Sequence, residues 1–157
     1  MAVLELAQIS DILETGDRLL GLDLGTKTIG LALSDVTLTI ASPLETIRRV
    51  KFTLDVEKLE SLIDEHEVGG LVLGLPVSMD GTEGPRCQST RQFATNLLER
   101  RNIPLAFWDE RLSTAAVERI LVGEADMTRK RRAQVVDKAA AAYILQGALD
   151  SLGSGFQ

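Results

Sequence analysis

Apolar and polar positions alternate along residues 18 to 24, and the alternation resumes after a short turn. Leu20, Leu22 and Leu24 fall on one side of the first stretch, and Leu19, Gly21, Asp23 and Gly25 on the other. In the second stretch Ile29, Leu31 and Leu33 oppose Thr28, Gly30, Ala32 and Ser34. A period of two is that of a β-strand, so 18–24 and 28–35 are predicted strands joined by the turn "GTKT". "PLETIRR" at 43–49 predicts a third strand. Leu54, Leu59, Leu62 and Ile63 recur at helical spacing and predict a helix over 53–66, with Thr53 as its cap. "GGLVLGLP" at 69–76 is continuously apolar, as in a strand covered on both faces. Beyond the loop "VSMDGTEG", helical character runs from about Pro85 to Arg101, and "PLAFWDE" at 104–110 predicts a further strand. Ser113 or Thr114 then caps a helix to about Val122, and a final helix spans roughly 130–150. Antiparallel strands first, then alternating helix and strand, make a mixed α/β sheet with helices on both faces. Residues 1–17 form a short amphipathic extension of the domain at 18–150, and 151–157 a tail.

The first strand has a fault. Asp23 stands in an apolar run, on a face otherwise stripped of bulk by Gly21, Gly25 and Gly30. Glycines also serve tight turns and close packing, which explains them but not the acid among them. Asp109 and Glu110 end an apolar strand, at the edge where α/β sheets place their chemistry. Asp137 lies in line with Ala141, Ile144 and Ala148 at helical spacings. Taken singly, an acid there is explained by the helix dipole. Three carboxylates brought together without compensation repel, and at least one is forced to hold a proton. Mg²⁺ or Mn²⁺ resolves that conflict, because such ions take oxygen ligands and need only two or three carboxylates. Two such ions serve phosphodiester cleavage.

Bulk properties narrow the setting. The 157 residues fit one domain, 45% hydrophobic and 25% charged, with a core of Leu, Val, Ile and Ala because aromatics reach only 4%. No apolar run is long enough to cross a membrane, and the first residues lack a secretory pattern. One Cys and one His exclude an internal disulfide and make a zinc site implausible, so a cytoplasmic setting is expected. The net charge of −6 argues against a nucleic-acid partner until its distribution is considered. Glu5, Asp11, Glu14 and Asp17 supply four of those charges, whereas "RKRR" at 129–132 and pairs at Arg48–Arg49 and Arg100–Arg101 form basic clusters. As a sequence feature, "RKRR" suits a solvated helix start as well as a phosphate-binding patch.

The motifs "GLDLGTKTIGLALSD", "GLPVSMDGTEGPRCQSTRQFATNL", "DERLSTAAVERIL" and "RKRRAQVVDKAAAAYIL" occur in that order across about residues 18–150. Together they strongly resemble the YqgF (RuvX) family of pre-16S rRNA nucleases, also described as Holliday junction resolvases. The resemblance implies an RNase H-like fold, a five-stranded mixed sheet ordered 3-2-1-4-5 and flanked by helices. It implies that Asp23, Glu110 and Asp137 are catalytic and hold Mg²⁺ or Mn²⁺, and that cleavage leaves a 5′-phosphate and a 3′-hydroxyl. Asp109 is expected to point away from Glu110. Beside that frame, Lys27 after the turn, Arg86 in a Gly-rich flexible loop, Arg111 next to Glu110, and Lys130, Arg131 and Arg132 on the way to Asp137 are expected to bind phosphates without reading sequence.

The expected activity is metal-dependent hydrolysis of structured nucleic acid. Processing of the precursor 16S rRNA 5′ end, in a ribosomal precursor particle, is the favoured setting, and resolution of branched DNA is the nearest variant. "GLDLGTKTIG" also resembles the phosphate-binding hairpin of actin-like ATPases, but that architecture clamps nucleotide between two such domains and this length supplies one. A binding module without turnover is the third reading. Bland roles are expected elsewhere: His66 solvent-facing, Cys87 a passive thiol, and Trp108 core filling.

Overall fold

A computed structural model describes residues 3–78, 80–112 and 129–154, and the side chains of all of these except 112, 129–138 and 154. The elements are α1 (Leu6–Ile12), β1 (Arg18–Leu24), β2 (Thr28–Ser34), β3 (Ala41–Arg48), α2 (Phe52–Glu65), β4 (Val68–Leu75), α3 (Pro85–Arg100), β5 (Leu105–Asp109), a 3₁₀ turn (Glu110–Leu112) and α4 (Arg129–Ser154). The five strands form one sheet ordered β3-β2-β1-β4-β5. β1 pairs antiparallel with β2 and parallel with β4, and β4 pairs parallel with β5. The expected mixed sheet and strand order are observed. The helix expected from Ser113 or Thr114 lies outside the described residues.

The strand alternation sorts two cores. Leu20, Leu22, Leu24, Leu71 and Leu73 join Val56, Leu59 and Ile63 of α2 and Phe93 and Leu97 of α3 on one side of the sheet. Leu19, Val72 and Ala106 meet Ile9 of α1 and Ala141, Ile144, Leu145 and Ala148 of α4 on the other. The second side is closely packed because its strands carry glycine. A Cβ on Gly21 would lie 2.8 Å from Leu145 Cβ and 3.1 Å from the Ala141 carbonyl oxygen. α4 therefore seats almost directly on the β1 backbone.

The first residues belong to this second core. Ile9 is fully buried, and its Cγ2 would be 2.9 Å from a Cβ on Gly70. Leu13 and Asp17 occupy the space over Gly69, and the Leu4 amide donates to the Leu105 carbonyl at 2.8 Å. The Gly-Gly pair that opens β4 thus makes room for the amino-terminal segment.

α2 is capped differently from the expectation. Its N-cap is Lys51, with no side-chain cap bond, so Thr53 lies inside the first turn. The buried Asp55 carboxylate accepts the Val50 amide at 3.0 Å instead, because one turn of helix carries Asp55 back beneath the incoming chain. His66 is the C-cap of α2 and is half-buried rather than solvent-facing. Arg100 and Arg101 join α3 to α2 through Glu60 at 3.0 Å and Asp64 at 2.6 Å. That basic pair is a structural fastening.

Candidate active site

Asp23 occupies β1 opposite Gly30 of β2. It shares its face with Gly21, two residues earlier, so it stands on the α4 side of the sheet. In the neighbouring parallel strand Leu22 pairs with Leu73, which brings Gly74 alongside Asp23. A Cβ on Gly74 would lie 2.6 Å from Glu110 Oε1 and 2.9 Å from Glu110 Cγ, and would also strike Ile144 Cδ1. Glu110 therefore folds back from the end of β5 and lays its carboxylate over the β4 backbone. The strand ends at Asp109, and the 3₁₀ turn that begins at Glu110 provides this reversal. Asp23 and the Glu110 carboxylate thus lie on the same face, on adjacent strands, at the same level.

Asp137 belongs to α4, four residues before Ala141. Ala141, Ile144 and Ala148 are all buried against the sheet, and Asp137 continues their spacing. Its side chain lies outside the described residues, as do those of Lys130, Arg131 and Arg132. Among the described residues no group of three or more His, Cys, Asp or Glu is placed to hold a metal ion.

The other expected phosphate contacts divide. Lys27 is exposed in the β1–β2 turn. Arg86 is in the first turn of α3 rather than in the preceding loop, because Pro85 at the helix start suits the fixed φ of proline. Its guanidinium donates to the Leu24 carbonyl at 3.3 Å. Arg111 is held by Asp109, with Nε 2.8 Å from Oδ2 and Nη2 2.5 Å from the same oxygen. That pairing holds the Asp109 carboxyl below the usual carboxylate range. The Gly-rich loop is closed by its own bonds: Asp80 Oδ1 accepts the Thr82 hydroxyl at 2.7 Å, and Glu83 pairs with Arg91 at 2.7 Å.

Two participants were not anticipated. Gly74, in the run "LVLGLP", is the seat of the Glu110 carboxylate. A glycine inside an apolar strand is a signal of close approach, and it was available in the sequence. Arg49 donates to the Gly25 carbonyl at 2.6 Å, directly after the end of β1, and only the fold brings it there. Cys87 is fully buried, and burial chiefly, with the Glu83 charge second, pushes its thiol up. Trp108 fills space against α4, its Nε1 2.9 Å from where a Cβ on Gly147 would lie.

This sheet order, with two helices packed on each side, is that of an RNase H-like fold of the resolvase type. The yeast mitochondrial Holliday junction resolvase is similar in fold, with a TM-score of 0.56 and 13% identity over 94% of this chain and 84% of that one. The sequence profile described as "RuvX: Holliday junction resolvase" matches residues 17–151, and the chain belongs to that family. A Rhodospirillum rubrum protein named "Putative pre-16S rRNA nuclease" is 66% identical over 97% of this chain and 94% of its own length. A Paramagnetospirillum magneticum protein of the same name is 65% identical over 99% of each. That second match takes in the amino-terminal segment as well as the domain.

Proposed function

We propose that this protein is a divalent-metal-dependent nuclease that hydrolyses phosphodiester bonds in structured nucleic acid, with the 5′ end of precursor 16S rRNA as its substrate. The observation that carries this reading is the Glu110 carboxylate laid over Gly74, on the same sheet face as Asp23. Carboxylate oxygens brought to one backbone face, with a glycine leaving room above it, suit a hard divalent cation.

The residues fit Mg²⁺ or Mn²⁺. Carboxylate oxygens are hard donors, and the family resemblance adds Asp137 to Asp23 and Glu110 as the third. A bound divalent ion would supply Lewis-acid polarisation of the phosphate and an activated water. The chain's own contribution is to hold its acids on one rigid sheet face. The cations then position the substrate backbone. Lys27 is exposed beside the end of β1 and Arg86 stands on a neighbouring element, whereas Arg111 follows Glu110 with its guanidinium paired to Asp109. Arg129 to Arg132 open α4, where positive charge is disfavoured by the helix dipole. Helix stability therefore does not account for that run, and phosphate binding does.

The relatives' names favour precursor rRNA, and a cytoplasmic precursor particle is the setting we infer. The description of the matching family favours a four-way DNA junction as the second reading. Among the described residues no helix is long and apolar enough to cross a membrane. The test is cleavage of a precursor 16S end, a four-way junction and plain duplexes, with Mg²⁺, Mn²⁺ or EDTA, beside an Asp23→Asn control. Metal-dependent cutting of the RNA that disappears in the variant is expected. Cutting of the junction alone moves the assignment to a resolvase, and no cutting of any substrate overturns the nuclease reading.

A further inference from the structure

The other face of the β1 end carries a second feature. A cleft of about 160 Å³ opens there, lined by Gly25, Thr26, Arg49, Arg86, Ser89 and Phe93 among others, and among the described residues no carboxylate lines it. Arg49 reaches it from the end of β3, and Arg86 from the first turn of α3. Each guanidinium is fixed by a backbone carbonyl: Arg49 Nη1 lies 2.6 Å from Gly25 O, and Arg86 Nη2 lies 3.3 Å from Leu24 O. Arg49 is further fixed over the Phe93 ring, 5.9 Å from its centroid, and Phe93 in turn stands edge-on to Phe52.

The contrast with the neighbouring arginines is informative. Arg91, Arg100, Arg101 and Arg111 each pair with a carboxylate. Among the described residues, Arg49 and Arg86 form no such pair. Neutral carbonyls orient these two side chains without cancelling their charge, and most of their N–H donors remain for a further acceptor. Two oriented forks on one cleft match the several oxygens of a phosphate. The start of α3 adds its dipole in the same sense.

From this geometry we infer that the Arg49–Arg86 cleft is a phosphate subsite, separate from the carboxylates, that holds a backbone phosphodiester of the substrate strand beyond the one being cut. The inference rests on the nuclease reading. Leu24 follows Asp23 directly, and alternation puts its side chain on the opposite face. A strand held at both places therefore wraps over the end of β1, from the α4 side to the α3 side. Such a hold is indifferent to base sequence and independent of the metal.

The test is binding by the full chain in EDTA, where nothing is cut, of a labelled RNA stem-loop and a four-way DNA junction over a range of salt concentrations. Arg49→Gln and Arg86→Gln are each expected to weaken binding roughly tenfold and to lower the salt slope by about one, equally for all base sequences. Arg49→Lys keeps the charge, and is expected to restore the slope but only part of the affinity. Arginine Nε–Hε signals of the wild type are followed in parallel by NMR during titration with inorganic phosphate. Signals of Arg49 and Arg86 are expected to move, and RNA to displace the phosphate. Normal affinity and slope in both Gln variants, with thermal melts unchanged, overturn the subsite. Phosphate-induced shifts that nucleic acid does not displace overturn its assignment to the substrate strand. Failure of the wild type to bind any nucleic acid overturns the nuclease reading itself, a different result from binding that the variants leave intact.

Discussion

The two faces of strands β1 and β4 share one backbone and carry opposite chemistry. Toward α2 and α3 they present Leu20, Leu22, Leu71 and Leu73, all fully buried among aliphatic side chains. Toward α4 they present Leu19 and Val72 but also Gly21, Asp23 and Gly74, with Glu110 folded over the last of these. Bulk on the first face stabilises the fold through buried area. Its absence at Gly21 and Gly74 on the second lets a helix backbone and a carboxylate approach the sheet. A single-residue shift of register would exchange the two faces, so one alternating pattern specifies both the core and the site.

The largest effect should separate the faces most cleanly. Asp23→Asn preserves shape and removes one negative charge, so activity with Mg²⁺ is expected to fall by roughly a thousandfold. Thermal stability is expected to change little, because the isosteric amide leaves the buried leucines of the other face untouched. Leu22→Ala, at the adjacent position, should do the reverse: a loss of about 3 to 5 kcal/mol in urea unfolding, with activity per folded molecule retained. If the Asp23→Asn protein unfolds as readily as the Leu22→Ala protein, the division of labour between the faces is wrong.

Gly74→Ala tests the same contrast at an intermediate size. The added methyl would meet Glu110 Oε1 at 2.6 Å and the Ile144 side chain as well. Overpacking of this kind costs about 1 to 3 kcal/mol. Cleavage is expected to fall by roughly ten- to a hundredfold, as a displaced ligand loses its geometry. A variant of full activity would show that Glu110 need not lie over β4.

Much of this arrangement was legible in the sequence, and the remainder failed for identifiable reasons. Alternation in 18–35 placed Asp23 opposite the leucines, and the spacing of Ala141, Ile144 and Ala148 found the buried face of α4. Those are local regularities of period two and of helical pitch. Thr53 falling inside the first turn, and Asp55 reaching back to the Val50 amide, depend on how the chain enters α2. Arg111 closing on Asp109 depends on the 3₁₀ turn that ends β5. The docking of Ile9 over Gly70 and the reach of Arg49 to Gly25 join segments distant in sequence. No periodicity within either segment encodes such meetings, although the glycines of "VGGLVLGL" marked where something must come close.

The smallest effect concerns a carboxylate whose role is local. Asp35 follows β2 and accepts hydrogen bonds from the Thr37 hydroxyl, the Thr39 amide at 2.8 Å and the Ile40 amide at 3.0 Å. These donors, the Thr37 hydroxyl first, lower its pKa from the ordinary 3.8 to about 2. A carboxylate depressed in the folded state stabilises above its unfolded pKa, and that contribution disappears as pH falls through the folded value. The stability of the wild type should therefore decline between about pH 4 and about pH 2 more steeply than that of Asp35→Asn, with the two curves parallel at neutral pH. Urea unfolding across that range reads the difference directly, and other depressed carboxylates such as Asp109 cancel from it. Curves parallel throughout would mean that the loop does not prefer the charged form. Cleavage should be unaffected by the substitution, because this acid answers to its own turn, whereas Asp23 answers to the face it shares with Glu110.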